Sequence, residues 1–418
     1  MRGRLLMALG GIVAGCSKEP ASGAAVARDS SGIRIVENAG PAWRAGAGWT
    51  VSDTPLVDIG GKSGDPAYEL DQVRGPIRLQ DGRIVLANAA TSEIRFYDGT
   101  GKHLRSVGRK GTGPGEFQSI ASMWPGAGDS LVVGDALLRR ITVLDHDGNF
   151  GRLFTLGNQE GALAPIGGRV ELAIPLGLFS DGSIAGMLQA IMVNQPRAGV
   201  YRDSVTLLHY GPDGSLRDTL GRLPGAEMSQ LSLTVQGRAF SAPTPVPLGK
   251  QTMIALSGDR LYVAQNNAWE IEIRDARGAL RTLGRAPRQP VKLTPSDITA
   301  HRKEQHEAME AQPMFRNIPE PIKTQLLSQF DQVKYPATLA FFGPLFPDPS
   351  GSVWAQEAAS PSGKVIRFAI MDSTGRWLGT VKLPESFRLS FVAADAVYGV
   401  WKDADEVEHA RGYRLSKP

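Results

Sequence analysis

Asn88, Asp135, Gln265 and Gln356 each end a β-branched stretch that has just left a Gly- or Asp-bearing turn. Lys402 stands at the comparable point further on, and Arg74 enters the stretch that precedes Asn88. Amide and carboxylate oxygens converging on one point, with cations beside them, frame many ligand sites. They are also the hard donors that Ca²⁺ takes, about six to eight oxygens at a time. This set carries one carboxylate, Asp135, or two if Glu357 turns inward, which is thin charge for Ca²⁺. An Asn or Asp at such a place can instead hydrogen-bond its own turn. Ligand contact and turn satisfaction are the two readings the residue types allow.

Other constellations fail on spacing. His301, Glu304, His306 and Glu307 suggest a metal cluster. On a helix, however, His301 and His306 stand about 140° apart and cannot share a ligand face. The Gly-rich, basic stretch Gly108 to Phe117 lacks a following Gly-Lys-Ser/Thr and leads into an expected strand, so it is no phosphate cradle. There is no Gly-x-Ser-x-Gly elbow, and His103, His146 and His209 fall in scattered units. With net charge +4, pI near 9.1 and no Lys/Arg run of five, nucleic acid is not an expected partner.

The elements that must position the polar set recur. EIRFYDGTGKHLRSVG (Glu93 to Gly108) returns at Arg140 to Gly157, Ser204 to Gly221, Glu270 to Gly284 and Val365 to Val381. A sixth copy is split between the C-terminal GYRLSKP and Trp49 to Gly60. A second hairpin precedes each copy, beginning with IRLQDGRIVLAN (Ile77 to Asn88), with turns at Gly82, Asp129, Gly182, Asp259, Gly351 and Asp395. Two hairpins make a four-stranded sheet, and six such units with one divided between the chain ends predict a closed ring. The expected fold is all-β, a six-bladed β-propeller sealed by an N-terminal strand.

Val85 to Phe117 resembles the NHL-type repeat. The chain from Gly32 is similar to bacterial lipoproteins described only as six-bladed β-propellers, a likeness carried also by GIRIVEN (Gly32 to Asn38) and DPSGSVW. Those motifs are structural and imply no activity. At the N-terminus, Arg2 and Arg4 precede an apolar run, Leu5 to Val13, that is too short to span a bilayer. Val13-Ala14-Gly15-Cys16 then resembles the bacterial lipobox, with Cys16 the single cysteine and the expected lipidation site. The expected layout is a lipoprotein signal peptide at 1–15, a flexible tether at 16–31 and the propeller at 32–418. Such a chain is anchored by lipid to a membrane of the bacterial cell envelope, periplasmic or surface-exposed. The closing strand follows the tether, so the tether is expected to leave from the sixth blade.

Strands a to d run from axis to rim, so a–b and c–d turns share one face, and b–c and d–a links the other. The long segments are Asn158 to Ala173, Leu188 to Asp203, Arg222 to Gly249 and Arg285 to Tyr335, all on the b–c/d–a face. Long loops in compact domains are usually functional or disordered. The last should hold a helical insertion between blades 4 and 5, about 294–334. Thr294-Pro295-Ser296-Asp297 reads as a capping box, and Ile322, Leu326, Phe330 and Val333 share one helix face. The reading is a module that binds a small molecule or a protein through this face, without cofactor and without assigned catalytic residues. The alternative is a Ca²⁺-dependent hydrolase, lactonase or lyase working in the channel.

Overall fold

The computed structural model describes residues 23, 25–61, 64–157, 169–193, 199–235, 238–311, 315, 318–361 and 365–418. The signal peptide at 1–15, Cys16 and the adjoining part of the tether lie outside them, as do parts of the long links of blades 2 and 3.

Six four-stranded antiparallel units form a ring. Blade 1 is Val73–Arg78, Ile84–Asn88, Glu93–Tyr97 and His103–Val107. Blade 2 is Ile120–Pro125, Leu131–Asp135, Arg140–Leu144 and Phe150–Phe154. Blade 3 is Arg169–Leu178, Ile184–Val193, Ser204–Tyr210 and Leu216–Pro224. Blade 4 contains Met253–Ser257, Arg260–Ala264, Glu270–Asp275 and Leu280–Arg285. Blade 5 is Phe342–Pro347, Val353–Glu357, Ile366–Met371 and Trp377–Leu383. Blade 6 is Phe387–Val392, Ala396–Lys402, Glu408–Ser416 and, from the other end of the chain, Thr50–Ile59. Ala410 faces Ile59 and Ser416 faces Thr50, so the divided repeat closes the ring as expected.

The repeated Asp-x-x-Gly turn has a double cause. In blades 1, 2, 4 and 5 the Oδ1 of Asp98, Asp145, Asp275 and Asp372 accepts the backbone N–H groups two and four residues on. The Gly between them takes a left-handed φ, 79° at Gly148 and 86° at Gly375. It also lies against the two outer strands of the preceding blade. A Cβ on Gly148 would stand 2.7 Å from Phe96, and one on Gly375 2.8 Å from Thr282. Local turn chemistry and packing between blades therefore select the same residue.

Apolar burial is divided among the seams. Six hydrophobic clusters lie one between each pair of neighbouring blades. Among the described residues the seam between blades 2 and 3 has the fewest buried members, Val132, Ile141, Leu156, Ile184, Leu208 and Tyr210.

Two additions revise the expected layout. Ala25–Ser30 is a strand, so the stretch 16–31 is not flexible throughout. It pairs with Ile33–Asn38, which adds in parallel to Leu280–Arg285 and widens blade 4 to six strands. Asn38 is buried. It donates to the carbonyls of Arg285 (3.2 Å) and Gly375 (3.1 Å) and accepts from the Trp377 N–H (2.9 Å), clipping the hairpin to blade 5. The chain therefore enters the fold at the rim of blade 4 beside blade 5, not at blade 6. The second addition is a hairpin, Met228–Val235 with Arg238–Pro245, in the link from blade 3 to blade 4.

The helical insertion stands where expected, as α1 (Pro295–Ala311) and α2 (Glu320–Gln332). Its capping box forms: the Thr294 N–H donates to Asp297 Oδ2 (2.9 Å) and the Asp297 N–H to Thr294 Oγ1 (3.2 Å). Asp297 is buried and also accepts from Ser360, which fixes the helix start to blade 5. The Leu293 N–H donates to the Ala337 carbonyl (3.1 Å), so the ends of the insertion lie side by side. His301 packs on Tyr335 and His306 faces Asp331 at 3.2 Å, joining the insertion internally rather than gathering a metal. α2 lies alongside Met228–Val235. Hairpin and helices thus adjoin one another above blades 3 to 5.

Candidate functional site

The six polar positions read from the sequence sit at the b–c/d–a end of the blades, but no hydrogen bond or ion pair joins any two of them among the described residues. Asn88 is 1% exposed. Its Oδ1 accepts the Asp71 N–H (2.8 Å), and its Nδ2 donates to Glu69 O (3.3 Å) and Thr91 Oγ1 (3.0 Å). Asp135 is 2% exposed. One oxygen takes the N–H groups of Gln118 and Ser119, the other those of Leu137 and Leu138. Both side chains fasten their own b–c turn to the link that enters the blade. Gln265 donates to Glu272, and its carbonyl accepts Arg202 Nη2 at 2.7 Å. Its neighbour Asn266, fully buried, spans the seam, with Nδ2 on the carbonyls of Gln251 and Phe342 and Oδ1 on the Phe342 N–H, each 2.8 Å. Gln356 lies over Gly343. Lys402 is exposed and pairs with Glu406 at 2.9 Å. Arg74 points Nη1 at the Val73 carbonyl (3.5 Å), and Arg388 of blade 6 brings Nη2 to the same oxygen (3.3 Å).

This donor set does not suit Ca²⁺. Both oxygens of Asp135 already hold backbone N–H groups. Glu357 faces Arg288 at 3.6 Å, and burial pushes its carboxyl up toward the neutral acid against the opposing pull of Arg288 and Arg367. Among the described residues no three His, Cys, Asp or Glu side chains come together as metal ligands.

Among the cavities of ligand dimensions, two bear on the site. One, of about 450 Å³, lies on the axis at the a–b turn end and takes wall residues from the inner strands of all six blades, among them Ile77, Trp124, Leu178, Leu256, Phe346 and Phe391. Its lining side chains are mostly apolar, though backbone and serine groups make nearly half of the exposed wall polar; the one carboxylate among them, Asp348, accepts from the Ser350 and Ser352 N–H groups of its own turn. The other, of about 360 Å³, opens in the seam between blades 2 and 3 at the b–c/d–a end. Asp135 stands in its wall with Arg139, Arg140, Ile141, Leu156 and Leu172 to Pro175. Only Asp135 was readable as a site residue. Arg139 and Arg140 share the b–c turn with it, and two adjacent arginines beyond a strand-ending Asp were the available signal. The facing wall comes from the next blade, which no local pattern announces.

A ring of six four-stranded sheets with its axial cavity and one-sided additions is a six-bladed β-propeller. Residues 70–155, which cover blades 1 and 2, match the family DUF5128, described as a 6-bladed beta-propeller. No curated protein matches the chain. Solved structures with a similar ring include a Bacteroides fragilis protein provisionally described as exported (10% identity, 88% of this chain and 95% of that one, TM-score 0.46). A DUF4221 member from Bacteroides vulgatus is similar at 12% identity, over 89% of this chain and 99% of its own, TM-score 0.46. A gluconolactonase of Xanthomonas campestris is similar at 14% identity, over 88% and 97%, TM-score 0.41. At these identities the likeness concerns the ring alone.

Proposed function

We propose that this propeller is a lipid-anchored, extracytoplasmic binding module that takes a ligand or partner protein on its b–c/d–a face. The observation that carries the reading is the one-sided build-up of that face. A hairpin from one link and two helices from the next adjoin there, beside a seam pocket, whereas the a–b and c–d turns opposite are short. A fold that needs only short connections keeps long ordered ones where they do something. The signal-like N-terminus and Cys16 support the anchor. Ala25 follows Cys16 by nine positions, a reach of at most about 32 Å fully extended. The rim between blades 4 and 5 would then sit close to the bilayer, with both faces of the ring open.

Photo-crosslinking from Glu307 on α1 and from Lys102 in an a–b/c–d-side turn tests the face. The reading expects a saturable adduct in envelope extract from Glu307 and none from Lys102, and the reverse pattern overturns it. Cys16→Ser should abolish incorporation of labelled fatty acid and release the protein from membranes; retained incorporation refutes the anchor.

A further inference from the structure

Among the described residues, the seam pocket between blades 2 and 3 holds more positive charge than its neighbours neutralise. Arg140 donates Nη1 to the Thr112 carbonyl (2.6 Å) and Nη2 to those of Gly113 (2.8 Å) and Glu116 (2.7 Å). Those acceptors fix the guanidinium but carry no counter-charge, and Arg140 Nε is buried without an acceptor. Arg139, half-buried on a left-handed turn residue (φ 51°), makes no hydrogen bond or ion pair among the described residues. Among the described residues the only carboxylate in the wall is Asp135, whose two oxygens are already occupied by four backbone N–H groups. The remaining wall is largely aliphatic, from Ile141, Leu156, Ala173, Ile174 and Pro175. Unneutralised cations beside apolar surface are costly, and an anion that arrives with its own apolar body relieves that cost while burying hydrocarbon.

We infer that this pocket binds a small amphipathic carboxylate: the apolar body fills the seam, and the head pairs with the Arg139 fork, to which Arg140 adds field. The guanidinium suits a planar carboxylate because its N–H groups can meet both oxygens at once. The inference deepens the proposed binding role of the b–c/d–a face and rests on it for physiological meaning. The pocket itself is testable independently.

The probe is 4-phenylbutyrate, with 4-phenylbutan-1-ol as its neutral counterpart, read by thermal shift and calorimetric titration on the full folded chain. The acid should stabilise the protein and bind roughly tenfold more tightly than the alcohol, equivalent to about 1.4 kcal/mol. Arg139→Gln should remove that preference while leaving the alcohol unchanged, and Arg139→Lys, which keeps the charge but loses the fork, should keep only part of it. Ala173→Phe, which fills the seam, should abolish both. Unliganded melting curves identify any variant that has lost its fold, in which case Arg139→Lys against wild type carries the comparison. Equal affinity for acid and alcohol, acid binding indifferent to Arg139→Gln and Ala173→Phe, or no binding by either probe at millimolar concentration overturns the inference. A lost acid preference with the Glu307 adduct intact would sink the pocket but leave the face. A lost adduct with the acid preference intact would do the opposite.

Discussion

Asp135 offers the sharpest separation between a structural and a ligand-binding side chain. At 2% exposure it serves four backbone N–H groups, from Gln118, Ser119, Leu137 and Leu138, at 2.7 to 3.2 Å. Asp135→Ala strands all four in a site that water reaches poorly. Each stranded group costs about 1–3 kcal/mol, and taking the low end for every one gives a loss of about 4 kcal/mol. Asp135→Asn keeps one acceptor oxygen and turns an NH₂ toward the other two donors, so the loss should be about half, near 2 kcal/mol. Urea unfolding followed by tryptophan fluorescence reads both, with unchanged m-values confirming that stability alone has moved. The ordering wild type, Asn, Ala is the essential result. An Ala variant within about 0.5 kcal/mol of wild type, or an Asn variant as damaged as Ala, refutes the view that this carboxylate is held by its own turn.

Asn38→Ala removes three seam hydrogen bonds and should cost roughly 1–3 kcal/mol; limited proteolysis should then cut first within 25–38, and cleavage elsewhere would contradict the clip. Replacing Thr294 to Val333 by a short Gly-Ser bridge should leave the melting temperature within a few degrees, because Leu293 and Ala337 already pair, and collapse of the ring would show the helices to be structural. Acid should act with two signs. Side-chain hydrogen bonds from Thr100, Asn149 and Ser215 lead in holding Asp98, Asp145 and Asp213 below the ordinary carboxylate range. Their contribution is present above the unfolded value near 4 and lost as pH falls through the depressed folded values. Burial first, against the pull of Arg288, raises Glu357, so its contribution is fully present below its unfolded value and lost as pH rises through the folded one. Denaturation midpoints should therefore fall below about pH 4. Glu357→Gln should flatten only the shallow slope above that value, and an unchanged slope would count against the assignment.

Features that act locally and globally at once were legible. The Asp-x-x-Gly turn is written in four consecutive residues because the same glycine satisfies the turn and admits the next blade. Thr294 to Asp297 announced a helix start for the same kind of local reason. The divided repeat showed its own closure, since neither end makes a sheet alone. By contrast, Ala25–Ser30 reads as polar tether. Its strand partner rests on Leu280–Arg285, some 240 residues away in the chain, and only space reveals that pairing. The hairpin Met228–Pro245 was visible as length but not as structure. Asn88 and Asp135 stood out because Asn and Asp favour turns, and that preference occupies them. The cations of the seam drew no attention because their facing wall belongs to another blade.

The ring seal also orders events in time. Thr50–Ile59 leaves the ribosome early and meets its partner Glu408–Ser416 only when nearly the whole propeller has followed. Until then two sheet edges stay unpaired, and a strand that joins such distant parts of a chain forms slowly. A chain emerging residue by residue cannot close before those last residues follow. Products cut short before 408 would carry open edges that proteases and other strands can reach, so the closing strand doubles as a check that the polypeptide arrived whole.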